Sequence, residues 1–251
     1  MLKDRHALVT GGGTGIGLAI ARALAARGAR VTITGRRAEV LAGAAAATPG
    51  LHGLTMDVSD EDSVMAGVSL AVEERGPVAI CVANAGIAEG RALHRSDLAF
   101  WRMIMSVNLD GAFLTIRECM KSMHKLDWGR VIAVASIAGL RGLRGASAYT
   151  ASKHGMIGLI RALSEDYMGG PVTFNALCPG YVDTPIVEHN VGAISKRAGI
   201  SEDEALKLMV SANRHKRLIA PEEVARAAIW LCDEASGSVN GQCIEIAGGQ
   251  V

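Results

Sequence analysis

No sign of charge is in excess in this sequence. Its 26 lysines and arginines nearly balance 25 aspartates and glutamates, leaving a net charge of +1. With no basic block either, an electrostatic nucleic-acid surface is not indicated. Cysteine is sparse and shows no pairing pattern: the five, at 81, 119, 178, 232 and 243, are spread out and form no C-x-x-C. They read as reduced core residues of a cytosolic protein, not as a disulfide frame or a zinc site. No uninterrupted apolar run approaches the ~20 residues of a membrane span. Charge at Lys3, Asp4 and Arg5 precedes a run of only four apolar or small residues, too short for a signal sequence. A cytoplasmic location is expected, with neither membrane nor nucleic acid as partner. His94, His124 and His189 have no companion at metal-ligand spacing, so no metal site is expected. Linkers and fixed-period repeats are absent too, so residues 1–251 are expected to form a single domain. Tyrosine occurs only three times, which makes the position of each informative.

What is present is a chain 49% hydrophobic and 20% charged, the balance of a well-filled core. Short β-branched runs at 6–10, 30–34, 51–57, 78–83, 129–135, 171–177 and 242–246 alternate with helical patterns. Those patterns cover 16–27, 38–46, 61–74, 98–125, 148–167 and 221–233. Continuous apolar runs such as "VIAVA" imply strands buried on both faces. The alternation predicts an α/β fold: a Rossmann-like, doubly wound parallel sheet of about seven strands, with helices on both faces. One polar, helical insertion at about 184–218 breaks the rhythm, at a place suited to a substrate lid. Within it Ser201 and Glu204 have capping-box spacing, so a helix is expected to start there.

The first predicted strand runs into "TGGGTGIG", with Gly11, Thr14, Gly15, Ile16 and Gly17 opening an Ala/Leu-rich helix. Glycine there permits positive φ and lets backbone N–H groups approach a pyrophosphate at the helix N-terminus. Strand before and helix after are the right context for dinucleotide binding. Asp57 ends the third strand and either accepts from an adenine amino group or caps the next helix, a duty Ser59 could share. Asn84, Ala85 and Gly86 end the fourth strand, where the sheet's carboxyl edge faces a cofactor. Asn84 reads equally well as a tie between strands.

Tyr149-Thr150-Ala151-Ser152-Lys153 puts a tyrosine one helical turn before a lysine, as an ordinary surface pair or as a phenol made acidic by a cation. Seen together, "TGGGTGIG", Asp57-Val58, "NAG" at 84–86, "VNLDG" at 107–111, Ser136, "YTASK" and "CPGYVDTP" at 178–185 resemble the short-chain dehydrogenase/reductase family. The resemblance covers nearly everything from Arg5 to Gly249. It implies an NAD(P)-dependent oxidoreductase that interconverts a ketone and a secondary alcohol by hydride transfer. The alternative from another class is a dinucleotide-sensing binding protein, disfavoured because the catalytic positions are filled.

The chemistry accounts for the spacing. Residues i and i+4 share a helical face. Bringing a phenol of pKa ~10 near neutrality requires ~4 kcal/mol of differential stabilisation. A lysine cation at ~4 Å, with an effective dielectric of ~20, supplies about that, and an oxidised nicotinamide adds to it. Tyr149 is therefore read as general acid/base. The resemblance assigns Ser136 to the substrate oxygen, and Asn108 to a helix kink and a proton relay. It assigns Lys153 to the nicotinamide ribose, Pro179 and Gly180 to the cofactor's surroundings, and Val182 and Thr184 to the carboxamide. His154 is expected to point away from the site. "IEIAGG" lacks the acid that relatives have before the paired glycines, and "YMGGPVTFN" is an unusual helix end.

Substrate and cofactor choices follow from departures and flanks. The lid segment resembles that of 3-hydroxybutyrate-type relatives, yet the positions that hold a small carboxylate in them are Ala138 and Ala146. A 3-oxoacyl thioester reductase or 3-hydroxyacyl dehydrogenase is preferred over a sugar, cyclic-alcohol or small hydroxy-acid dehydrogenase. Ser136, Ala138, Tyr149, Tyr181 and Ile186 are expected to meet the substrate, with Arg141 and Arg144 at the pocket mouth. After the second strand no acid appears until Glu39, whereas Arg36 and Arg37 follow Gly35. A 2′-phosphate is clamped by guanidinium and repelled by carboxylate. NADP(H) is therefore expected over NAD(H), with dual use admitted. Apolar residues on more than one face of helices 98–120 and 148–168 predict outer cover, and in the family these helices pair between subunits. A homotetramer is expected.

Overall fold

The computed structural model describes residues 2–211 and 213–249, except the side chain of residue 197. Seven strands form one parallel sheet in the order β3-β2-β1-β4-β5-β6-β7: β1 His6–Thr10, β2 Arg30–Gly35, β3 Leu51–Thr55, β4 Val78–Ala83, β5 Gly129–Val134, β6 Val172–Pro179 and β7 Cys243–Ile246. The strands β1, β4, β5 and β6 are buried along their whole length, as strands covered by helices on both faces are. Alternate side chains feed two cores. Leu8, Cys81, Val131 and Phe174 point to the face covered by α3 Glu61–Arg75, α5 Gly111–Met123 and α6 Ser147–Asp166. Val9, Ile33, Ile80 and Ile132 point to the face covered by α1 Gly15–Ala25, α2 Ala38–Ala46 and α9 Pro221–Leu231. This is the expected Rossmann-like sheet.

Strand order reverses between β1 and β4, so a crevice opens outside the carboxyl ends of those two strands. The third strand is shorter than expected. It ends at Thr55, and Met56 N–H makes a last bond to Gly35 O at 3.0 Å, leaving Asp57 free of the ladder.

The pattern at 98–125 is not one helix. α4 Leu98–Met105 passes through a π-helical turn, Ser106–Asp110, into α5. The insertion at 184–218 holds two helices, α7 Pro185–Ala198 and α8 Glu202–Val210. α7 opens with Pro185 in its first turn and ends at Gly199 with φ 67°, a start and stop that match their chemistry. α8 has the anticipated box: Glu204 N–H donates to Ser201 Oγ at 3.2 Å, and Ser201 N–H to Glu204 Oε2 at 2.9 Å. After α6 the unusual "YMGG" turns through Gly169 at φ 81°, and the Tyr167 ring packs on Phe174. No helix among the described residues is long and apolar enough to cross a membrane.

Candidate active site

The turn after β1 is built for close approach. Gly11 and Gly15 have φ of 62° and 54°, values that strain any side chain. A methyl group on Gly17 would lie 2.4 Å from both Gly11 O and Asn84 Nδ2, so a bare glycine lets α1 begin against the turn. Gly17 thus serves packing and does not itself line the crevice, whereas Gly11, Thr14, Gly15 and Ile16 do. The Asn84 amide donates to Thr10 O at 2.8 Å and to Gly11 O at 3.3 Å. Thr10 Oγ1 in turn accepts from the N–H groups of Asn84 and Ala85, at 3.0 Å each. The strand tie is real, and Asn84 also lines the cavity.

A smaller cavity on the β2 side is walled by Gly11, Gly13, Thr34, Gly35, Arg36, Arg37, Asp57, Val58, Ala85 and Gly86, among others. Asp57 is not a helix cap, and neither is Ser59. Asp60 caps α3, accepting from Ser63 N–H at 3.2 Å. Asp57 Oδ1 accepts instead from Ser59 N–H at 2.9 Å and Ser59 Oγ at 2.7 Å. Burial raises the Asp57 carboxyl, but those bonds and the charge of Arg36 outweigh it and hold the group below its usual range. Arg36 and Arg37 are exposed and in no ion pair among the described residues. Thr34 Oγ1 is buried with no partner in this wall. An orphaned hydroxyl beside two free guanidiniums, next to a cradle that any Cβ would fill, fits the phosphate-bearing half of a dinucleotide.

The π turn explains Asn108. Its extra residue per turn shifts the side chain inward, where it is fully buried and not the surface polar group that a regular helix would make it. Its Oδ1 accepts from Ile87 N–H at 2.8 Å, and its Nδ2 donates to Ile87 O at 3.0 Å and Ser152 Oγ at 3.1 Å. A methyl on Gly86 would lie 3.2 Å from Asn108 Oδ1 and 3.6 Å from Lys153 Nζ. The "NAG" turn therefore rests directly on this buried pair.

A cavity of about 760 Å³ brings together Ser136, Tyr149, Lys153, Pro179, Gly180, Tyr181, Val182, Thr184 and Ile186. Ser136 follows β5; its Oγ accepts from Ala138 N–H at 3.1 Å. α6 brings Tyr149 and Lys153 to the same cavity. The lysine does not behave as the spacing alone suggested. It is buried, donates to Val134 O at 2.8 Å, and its Nζ stands 5.9 Å from the Tyr149 ring centre. Burial lowers its ammonium to about 8, with a small opposing pull from Cys178. For Tyr149, burial raises the phenol, and the Ser136 hydroxyl draws it back only in part. The chain's own groups thus leave the tyrosine protonated at neutral pH, poised as a proton donor.

Ala138 is buried behind the serine and does not reach the cavity wall, which corrects its expected substrate contact. Arg144 lines the mouth as anticipated, but Arg141 does not. His154 is exposed and bonded to Thr150 O, away from the site. The sequence reading missed Val40, Leu41 and Met56 in the smaller cavity, and His189, Asn190, Ala193, Ile194 and Met209 in the larger. The lid residues carried one usable signal, their helical spacing on α7.

Residues 5–193 match the short chain dehydrogenase family, and the chain belongs to it: an NAD(P)-dependent dehydrogenase/reductase acting on CH–OH groups. It is 36% identical to the D-beta-hydroxybutyrate dehydrogenase of Cupriavidus necator, over 100% of this chain and 99% of that one. It is 34% identical to a 3-oxoacyl-(acyl-carrier-protein) reductase of Mycobacterium bovis, over 98% of this chain and 92% of the relative. Among solved structures, a variant actinorhodin polyketide ketoreductase with NADPH superposes with a TM-score of 0.94 at 32% identity, covering 98% and 97% of the two chains.

Proposed function

We propose that the protein is an NADP(H)-preferring reductase of 3-oxoacyl thioesters, or a 3-hydroxyacyl dehydrogenase in reverse, working as one catalytic unit with a lid at 184–218. The observation that carries the reading is the meeting of Ser136, Tyr149 and Lys153 in one cavity that is also lined by the mostly apolar lid. The glycine turn, Asn84, Ala85, Gly86, Pro179, Gly180, Val182 and Thr184 hold the dinucleotide. When bound, the reduced nicotinamide supplies a hydride to the carbonyl carbon. Ser136 Oγ holds the carbonyl oxygen by hydrogen bond, and Tyr149 gives that oxygen its phenolic proton as negative charge develops. Lys153 stabilises the resulting phenolate and bonds the ribose, and the buried Asn108 fixes the loop and helix that carry them.

Arg36 and Arg37 favour a 2′-phosphate, with Thr34 Oγ1 as a further donor. The relative that reduces carrier-bound 3-oxoacyl groups, the ketoreductase with NADPH and the lack of a polar side chain at Ala146 in the cavity support a thioester over a bare hydroxy acid. The hydroxybutyrate dehydrogenase relative supports the second reading, a small hydroxy-acid dehydrogenase. Steady-state kcat/KM with a 3-oxoacyl thioester and its free acid, each with both cofactors, separates them. The thioester with NADPH is expected to be fastest. Arg36→Ala is expected to weaken NADPH binding about tenfold, or ~1.4 kcal/mol, while sparing NADH. A free acid used as well as its thioester, or a preference for NADH, would overturn the corresponding half.

The outer side of α4 and α5 leaves Leu98, Trp101, Met103 and Phe113 exposed, and Leu159 and Leu163 of α6 are only partly buried. These faces support assembly as a homotetramer.

A further inference from the structure

The cavity that holds Ser136, Tyr149 and Lys153 continues past them into the lid. α7 contributes Ile186, His189, Asn190, Ala193 and Ile194, and α8 contributes Met209. The α7 positions recur at three- and four-residue spacing, so they form one stripe along the helix. Ile186, His189 and Ala193 are exposed, and Asn190 and Ile194 are half-buried. Beyond Asn190 the described residues of α7 and α8 that line the cavity are Ala193, Ile194 and Met209.

The lid also has an apolar cluster of its own, separate from the two cores of the sheet. Val187, Val191, Ala205 and Met209 form it, with Tyr181, Ile194 and Leu206 packed around them. Met209 belongs both to this cluster and to the cavity wall. It is 5% exposed, so part of the cavity's wall is a side chain that the lid itself holds in place.

We propose that Met209 sets the length of an apolar tail on the substrate, which lies along α7 and stops against the methionine. This rests on the thioester reading above and adds which acyl chain the site accepts. From Ile186 to Ile194 the stripe spans about 12 Å at 1.5 Å per residue, room for about eight or nine extended methylene groups. The tail is therefore of medium length. Methionine suits such a stop, being unbranched and able to adapt its shape to the end of a chain. Met209 acts on tail binding and takes no part in proton transfer.

The test uses the whole chain with NADPH and a homologous series of 3-oxoacyl N-acetylcysteamine thioesters. A parallel series of 2-alkanones needs no thioester. In a hydrophobic pocket each misplaced methylene changes discrimination by about 10–200-fold. Met209→Trp is thus expected to lower kcat/KM at least tenfold for the ten-carbon thioester and to leave the four-carbon one within about twofold. Met209→Ala is expected to move the optimum to longer chains, and Met209→Leu to keep the wild-type profile. Substitutions that change every length by one factor, or a wild-type series flat in chain length, would overturn the proposal. A tryptophan that disrupts the lid would lower all lengths together; the alanine and leucine profiles then decide by the same criterion. If no thioester reacts but the alkanone optimum moves with Met209, the thioester reading fails and the selector stands. If thioesters react with no dependence on Met209, the selector fails alone.

Discussion

His6, at the start of β1, offers a quantitative test of how the sheet is tied together beneath the site. It is buried, with Nδ1 2.7 Å from Gly76 O and Nε2 2.8 Å from Thr32 Oγ1. The carbonyl must accept, so Nδ1 carries the proton and Nε2 accepts from the threonine: the neutral ring joins β1 to β2 and to the turn before β4. Burial is the chief reason its pKa falls from 6.5 to about 4; the charges of Arg75, Arg30 and His52 add to it, and the bond to Gly76 opposes it. Because the folded value lies below the unfolded one, the unfolded chain binds more protons between these pH values. Stability is therefore lost as pH falls from about 6.5 towards 4. Between pH 7.5 and 5 the loss from this one group is about 2 kcal/mol, given 1.36 kcal/mol per pKa unit. For a chain of this size that corresponds to about 4 °C in Tm. Thermal melts of the wild type and His6→Gln across that range isolate it from the carboxylates, which both proteins share. The wild type is expected to lose about 4 °C more than the variant. Parallel curves would refute the assignment of a buried neutral imidazole.

Two more expectations concern the cofactor turn and the assembly. Gly17→Ala must push α1 away from Gly11 O and Asn84 Nδ2, each only 2.4 Å from the new methyl. Overpacking of that kind costs about 1–3 kcal/mol, so a lower Tm and weaker NADPH binding by titration calorimetry are expected together. Light scattering at micromolar concentration is expected to give four times the 26.1 kDa chain mass; the monomer mass would remove the tetramer.

The sheet was readable in the sequence because buried parallel strands cannot hide: "ALV", "VAICVA" and "VIAV" put apolar side chains on both faces. The glycine turn and the Tyr149–Lys153 pair were readable because their spacing has a local geometric meaning. The π turn at Ser106–Asp110 was not visible as such, since "SVNLD" keeps the helical pattern while the backbone widens to bury Asn108. Likewise "DVSDED" offers several caps, and only the exit path of β3 selects Asp60 and releases Asp57. The direction of Lys153 depends on the Val134 carbonyl, nineteen residues away in the chain. The cavity's depth into the lid depends on how α7 and α8 pack, which neither helix's own pattern states.

Tyr149 as the proton donor is tested most directly by one substitution. Tyr149→Phe removes the phenolic hydroxyl and leaves the ring's packing and the cofactor cradle as they are. General acid catalysis is worth about 10²–10⁴-fold, so kcat in NADPH oxidation with a 3-oxoacyl thioester is expected to fall at least a hundredfold, with the NADPH Kd unchanged within about twofold. A variant that retains more than a tenth of the wild-type rate, a barrier change below ~1.4 kcal/mol, would contradict the central claim.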